Sequence, residues 1–197
     1  SSSCASITNG TPTNAGTYTV TCNGDSNHNN STCSFTINKV AATITCSNKT
    51  YTGSEQTACS CSGGTIGGTY KATNAGTYTA SCTGDSNHTN PSNKSWTMNK
   101  VTPTMSISAT SGTIACNGST TVTVTSVSDG GVSCSSSNTS YATCSVSGKT
   151  VTITHKAGGS ATITISQAAG TNWNAPSNKT YSATLSSCAS MHNLGDY

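Results

Sequence analysis

Apolar and small polar residues alternate with a period of two through most of this chain. Tyr18, Val20 and Cys22 stand between Thr17, Thr19 and Thr21, and Val122 with Val124 and Ile163 with Ile165 are likewise set between threonines. This is the pattern of a strand with one buried and one wet face. Threonine suits the wet face because its branched Cβ favours extended backbone while its hydroxyl tolerates water. The same reading predicts strands over 35–37, 42–46, 96–98, 105–107, 151–153 and 181–185. Turn signals punctuate these runs at Asn23-Gly24, Gly63-Gly64, Gly67-Gly68, Asp129-Gly130-Gly131, Ser147-Gly148 and Gly158-Gly159. No stretch carries a useful length of helical periodicity. Many short strands joined by tight turns imply an all-β fold of sandwiches or barrels, not α/β; of these the expectation is tandem small immunoglobulin-like β-sandwich modules.

An internal repeat divides the chain. Residues 13–28, Thr-Asn-Ala-Gly-Thr-Tyr-Thr-Val-Thr-Cys-Asn-Gly-Asp-Ser-Asn-His, return as residues 73–88 with three substitutions near Cys82. The match runs on from Phe35-Thr-Ile-Asn-Lys39-Val to Trp96-Thr-Met-Asn-Lys100-Val, and a fainter third copy aligns residues 87–94 with 172–179. Repeats of this kind set the module boundaries: a first module over 1–39, a second over 40–100, a divergent third over 101–187, and a tail over 188–197. The first module has no counterpart of residues 40–58, so it lacks a strand. That predicts an open edge and an uncovered core, to be met by more of a longer chain or by a strand from a neighbour.

The motifs Asn-Ala-Gly-Thr-Tyr, Gly-Asp-Ser-Asn-His and the closing Ile-Asn-Lys or Met-Asn-Lys resemble the MBG-type repeats of large bacterial surface proteins and adhesins, over residues 13–40 and 73–101. Residues 101–187 resemble a bacterial immunoglobulin-like group-two domain. The resemblance implies extracellular, repeat-built, all-β stalks; the cysteines depart from the usual pattern of such modules.

Composition narrows the functional classes. Only 31% of the 197 residues are hydrophobic and 7% charged, with a net charge of +3, so several thin cores are expected in place of one deep one. All eight basic residues are scattered lysines, which argues against a nucleic-acid partner. No membrane span or sorting motif is seen, and membrane insertion is not expected. Eleven cysteines in such a chain read as disulfides formed in an oxidising compartment. The one close pair, Cys59 and Cys61, has no neighbouring histidine, so bridges are preferred to zinc. Aligning the repeats sets Cys22 against Cys82 and Cys4 near Cys59 or Cys61. The expected bridges are Cys4–Cys22, Cys61–Cys82, Cys46–Cys59 between the first strands of the second module, Cys134–Cys144 across a hairpin, and Cys116–Cys188. Cys33 is left over, as a free thiol or an intermolecular bridge.

Candidate chemistry is sparse. His28 and His88 share a turn with Asp25 and Asp85, but the third copy places Trp173 there, which favours an aromatic plug over a ligand. Asp25, Glu55, Asp85, Asp129 and Asp196 are too dispersed for paired-carboxylate catalysis or a calcium loop. No nucleophile elbow occurs. Tyr51, Tyr70, Trp96 and Trp173 are read as packing residues. Glycosylation sequons stand at Asn9, Asn29, Asn30, Asn48, Asn87, Asn93, Asn117, Asn138 and Asn178. The expectation is a non-enzymatic structural protein without cofactor, at the cell surface or outside the cell, acting as a stalk or fibre segment through self-association or as part of a longer chain. The alternative is an adhesin or phage-type decoration binding a host glycan or protein through loops such as Ser135–Tyr141.

Overall fold

Alternation along each run leaves one face of every strand apolar, and that face must meet another layer. In the computed structural model of this chain, which describes residues 6–8 and 11–189, every element is a strand. Cys4, Asn9 and the tail from residue 190 lie outside the described residues. The chain forms two compact units, Ser1–Asn99 and Lys100–Tyr197.

The first unit holds the two close repeats. Its opening sheet is antiparallel, with β2 (Gly16–Asn23) between β1 (Ser6–Thr8) and β3 (Ser31–Ile37). Next come β4 (Val40–Ala41), β5 (Thr43–Cys46), β6 (Lys49–Thr50), β7 (Gln56–Thr57) and β8 (Cys59–Ser62). The repeat proper follows as β9 (Gly64–Gly68), β10 (Lys71–Ala72), β11 (Gly76–Gly84), β12 (His88–Thr89) and β13 (Lys94–Asn99).

A four-stranded sheet in the order β6-β13-β11-β9 faces the β5-β8 pair. Between them lies a small core of Ala42, Ile44, Ala58, Cys59, Ala80, Cys82, Trp96 and Met98. Trp96 anchors it, donating its indole N–H to the Thr69 carbonyl at 2.6 Å and packing on Tyr78 with ring centroids 4.9 Å apart.

The second unit is a complete sandwich. Its strands are β14 (Ser106–Ile107), β15 (Ser111–Ile114), β16 (Ser119–Thr125), β17 (Val132–Ser136), β18 (Ala142–Ser147), β19 (Thr150–His155), β20 (Gly159–Gln167) and β21 (Lys179–Leu185). One sheet runs β14-β16-β19-β18 and the other β15-β21-β20-β17, with β15 parallel to β21. Two sheets joined by crossing connections in this order define the immunoglobulin-like arrangement. The inward positions of the alternation, among them Val122, Val151, Ile153, Ile163 and Ile165, are fully buried.

The strand order alters one expectation. Cys134 lies on β17, which pairs with β20, and Cys144 on β18, which pairs with β19. Their bridge therefore crosses from sheet to sheet and does not span a hairpin. Period-two alternation specifies which face a residue takes but not which strand lies beside it.

Candidate functional site

The repeated motif builds the same local structure twice. Tyr18 and Tyr78 each donate their hydroxyl to the carbonyl of the asparagine four residues earlier, Asn14 and Asn74, at 2.8 Å. The Asp25 carboxylate accepts the Asn27 N–H at 2.8 Å and meets His28 Nδ1 at 2.7 Å; Asp85 does the same with Asn87 at 2.8 Å and His88 at 2.6 Å. Asn30 and Asn90 then close the turns by accepting the N–H of Gly24 and Gly84. Both glycines are demanded by close approach. A Cβ on Gly24 would stand 1.9 Å from the His28 carbonyl oxygen, and one on Gly84 2.4 Å from that of His88.

The two histidines nevertheless differ in setting. The His88 ring lies against Gly63, whose φ is +82°, and a Cβ there would come within 2.7 Å of the ring. His28 is exposed. Each is tied to its own aspartate, and among the described residues no group of three or more His, Cys, Asp or Glu side chains is placed to hold a metal ion.

In the second unit Asp129 plays a comparable part, taking the Thr171 N–H at 2.9 Å and its hydroxyl at 2.6 Å. Hydrogen bonds hold all three aspartates below the usual carboxylate range. The Asn27 amide is the main cause for Asp25, the His88 ring for Asp85 and the Thr171 hydroxyl for Asp129. A carboxyl whose folded pKa is depressed contributes stability that is present above its unfolded value and lost as pH falls through the folded one. Urea midpoints are therefore expected to decline below about pH 4. Asp129→Asn should flatten that decline for the second unit, followed by Trp173 fluorescence in a Trp96→Phe background; an unchanged acid slope would count against Asp129 as its source.

The cysteines tie layers and chain ends together. Cys46 and Cys59 are bonded directly across β5 and β8, and Cys61 is bonded to Cys82 from the β5-β8 pair to the facing sheet. Cys134 is bonded to Cys144, and Cys116 to Cys188. Because β15 and β21 run parallel, Cys116 and Cys188 leave their strands at the same end of the sandwich, which brings them together despite 72 residues of separation. Cys22 is also disulfide-bonded, and Cys33 is an exposed free thiol. Sequence reasoning did not single out His155. It is buried, accepts the Asn117 N–H at 3.4 Å and donates Nε2–H to the Ser186 carbonyl at 2.7 Å, so it clamps the residues beside Cys116 and near Cys188.

Among the sequons, Asn29, Asn30, Asn48, Asn93, Asn117, Asn138 and Asn178 are exposed. Asn87 is half-buried, and its side chain is engaged by the first repeat: it accepts the Ala15 N–H at 2.8 Å and donates to Asn14 at 3.1 Å. A sugar on Asn87 Nδ2 would displace that contact. The Ser135–Tyr141 stretch is held by Ser137 N–H to the Thr162 carbonyl and by Ser140 N–H to Asn138 Oδ1.

These features define an all-β protein of tandem immunoglobulin-like sandwich modules stapled by disulfides. No family model matches the chain, and no curated protein matches it. Among solved structures, the S-layer protein SbsC (residues 31–844) is 23% identical over 60% of this chain and 18% of its own, with a TM-score of 0.37. Domains 4 and 5 of that S-layer protein are 26% identical over 56% of this chain and 65% of theirs, TM-score 0.36. The fibronectin(III)-like modules of Clostridium thermocellum CbhA are 11% identical over 79% of this chain and 100% of theirs, TM-score 0.35. The chain spans less than two thirds of either S-layer chain.

Proposed function

We propose that this chain is an extracellular or cell-surface structural segment, a stalk or fibre element of the class represented by MBG-type repeats followed by a bacterial immunoglobulin-like group-two domain. The observation that carries the reading is the covalent stapling of small sandwiches. In both units a bridge joins the facing layers, Cys61–Cys82 and Cys134–Cys144, and a further bridge closes 72 residues of the second. Disulfides of this density belong to oxidising compartments and to domains with thin cores. They also suit a module exposed to tension or proteases, because a closed loop cannot be drawn out when its ends are pulled. Hydroxyl-rich outer faces complete a surface suited to solvent and to attached sugar.

Single-molecule stretching from the two termini tests this role. With bridges intact, the segment between Cys116 and Cys188 stays closed; reduction should add about 250 Å of contour length from that loop. Equal lengths before and after reduction would remove the stapled-spacer reading.

A second reading, adhesion, draws on the exposed loop around Ser137–Ser140 of the divergent third module. A glycan and protein array probed with the intact chain separates the two. The spacer reading expects no saturable ligand, whereas a saturable ligand lost on substitution of these loop residues would replace it with adhesion.

A further inference from the structure

The two close repeats make the same sheet, but among the described residues only one of them is covered. In the second repeat Tyr78 pairs with Trp96, and Ala80, Cys82 and Met98 share their face; Ala42, Ile44, Ala58 and Cys59 close over it. In the first repeat the equivalent face carries Tyr18, Val20 and Cys22 on β2 with Phe35 and Ile37 on β3, in the same register, Tyr18 opposite Phe35. There Phe35 is 37% exposed where its counterpart Trp96 is 2% exposed. None of the residues in the first repeat whose burial is described is buried.

Two further features of the second repeat are also unmatched in the first. The His88 turn receives a parallel strand: Val40 N–H donates to the Asn87 carbonyl at 3.2 Å and Ala42 N–H to that of Thr89 at 2.9 Å. The third repeat does likewise, with Val101 N–H on the Asn172 carbonyl at 3.2 Å and Asn174 N–H returning to Val101 at 2.9 Å. No described strand pairs with the equivalent turn at His28, where a hollow of about 310 Å³ opens beside Asp25, His28 and Ser31. Likewise β13 is flanked by β6, and Asn48 Oδ1 accepts the Thr97 N–H at 2.8 Å, while among the described strands the outer edge of β3 has no neighbour. Residues 40–59 supply every one of these contacts in the second repeat.

We propose that the first repeat is an acceptor for one β-segment of the Val40–Cys59 class, carried by a further repeat of the same kind. An apolar sheet face with an unpaired edge takes an extended segment through main-chain hydrogen bonds, with alternate side chains filling the face. The occupant is distinct from a second copy of this chain. Each copy holds two acceptor sheets and one such segment, and that segment already closes its own second repeat, so an exchange between copies leaves one face uncovered for every face it covers. The inference does not depend on the spacer reading, because stretching of the second unit and occupancy of the first repeat are read separately.

The test is a labelled synthetic peptide with the sequence of residues 40–59, its two cysteines oxidised, titrated into the intact chain. Expected are saturable one-to-one binding and slowed amide exchange at the β3 edge, Thr36–Asn38, with exchange around Ala80 and Met98 unchanged. An Ile44→Asp peptide should bind about tenfold or more weakly, since a carboxylate would have to enter an apolar layer. Phe35→Ala in the chain should weaken binding to a comparable extent, and since Phe35 is exposed in the free chain, retained exchange protection at Val20 on β2 will certify that the first sheet of the variant is folded. No saturation by about 1 mM, equal binding of the Ile44→Asp peptide, or loss of protection around Met98 through displacement of the resident segment would each overturn the proposal. So would concentration-dependent dimerisation of the chain alone that protects the β3 edge, which would make a second copy the occupant.

Discussion

Trp96→Ala is expected to destabilise the second repeat by about 3–5 kcal/mol, and Phe35→Ala, at the matching place in the first, by less than about 1 kcal/mol. The two side chains occupy equivalent ladder positions opposite Tyr78 and Tyr18. What differs is the layer above them. Trp96 shares its core with Ile44, Ala58 and Cys59 of the covering segment and donates to the Thr69 carbonyl, so its removal leaves a cavity, an unpaired carbonyl and a lost aromatic contact. Phe35 gives up far less because it never left solvent completely; its ring sits 5.8 Å from that of Tyr18, and no described residue closes over the pair. Amide exchange resolves the two cases, read as opening free energies at Ala80 and Met98 for the first variant and at Val20 and Ile37 for the second. Equal losses would mean that the first sheet is as well covered as the second.

Removing the Cys116–Cys188 bridge by paired serine substitution should cost the second unit about 4 kcal/mol, against about 3 kcal/mol for Cys134–Cys144. The ordering comes from loop length. A bridge restricts the unfolded chain more when it closes a longer loop, and the separations are 72 and 10 residues. His155 would still hold Asn117 and Ser186 in the folded variant, so the native structure near the lost bridge has a second clamp. Urea unfolding followed by Trp173 fluorescence in a Trp96→Phe background measures both variants. If the shorter bridge proves the costlier, its role in holding one sheet to the other outweighs the entropy of the unfolded chain.

How much of this was legible beforehand depends on the range of the interaction. Alternation in Thr-Tyr-Thr-Val-Thr-Cys and in Val-Thr-Ile-Thr identified strands and their inner faces, since facing is a local consequence of the pleat. Recurrence of Gly-Asp-Ser-Asn-His identified a turn, and the aspartate, glycine and asparagine within it form the same hydrogen bonds each time because all the partners lie within six residues. The location of Cys134 and Cys144 on separate sheets was not legible, because their strands pair with β20 and β19, which lie further along the chain. Nor was the clamp at His155, which depends on residues more than thirty positions away on either side.

By itself, then, the sequence determined an all-β chain of repeats, the residues that face inward and the local build of each turn. These follow from backbone geometry and from side-chain chemistry within a few residues. Comparison of the repeats also predicted, from the missing counterpart of residues 40–58, that the first face would lack a cover; tertiary structure alone decided which strands became neighbours and which side chains close over the second face. Val20 and Ala80, or Phe35 and Trp96, hold matching places in their local pattern, and only the arrival of residues 40–59 over one sheet makes one set core and leaves the other at the surface. Burial is a property of what lies across the layer, which no local pattern encodes.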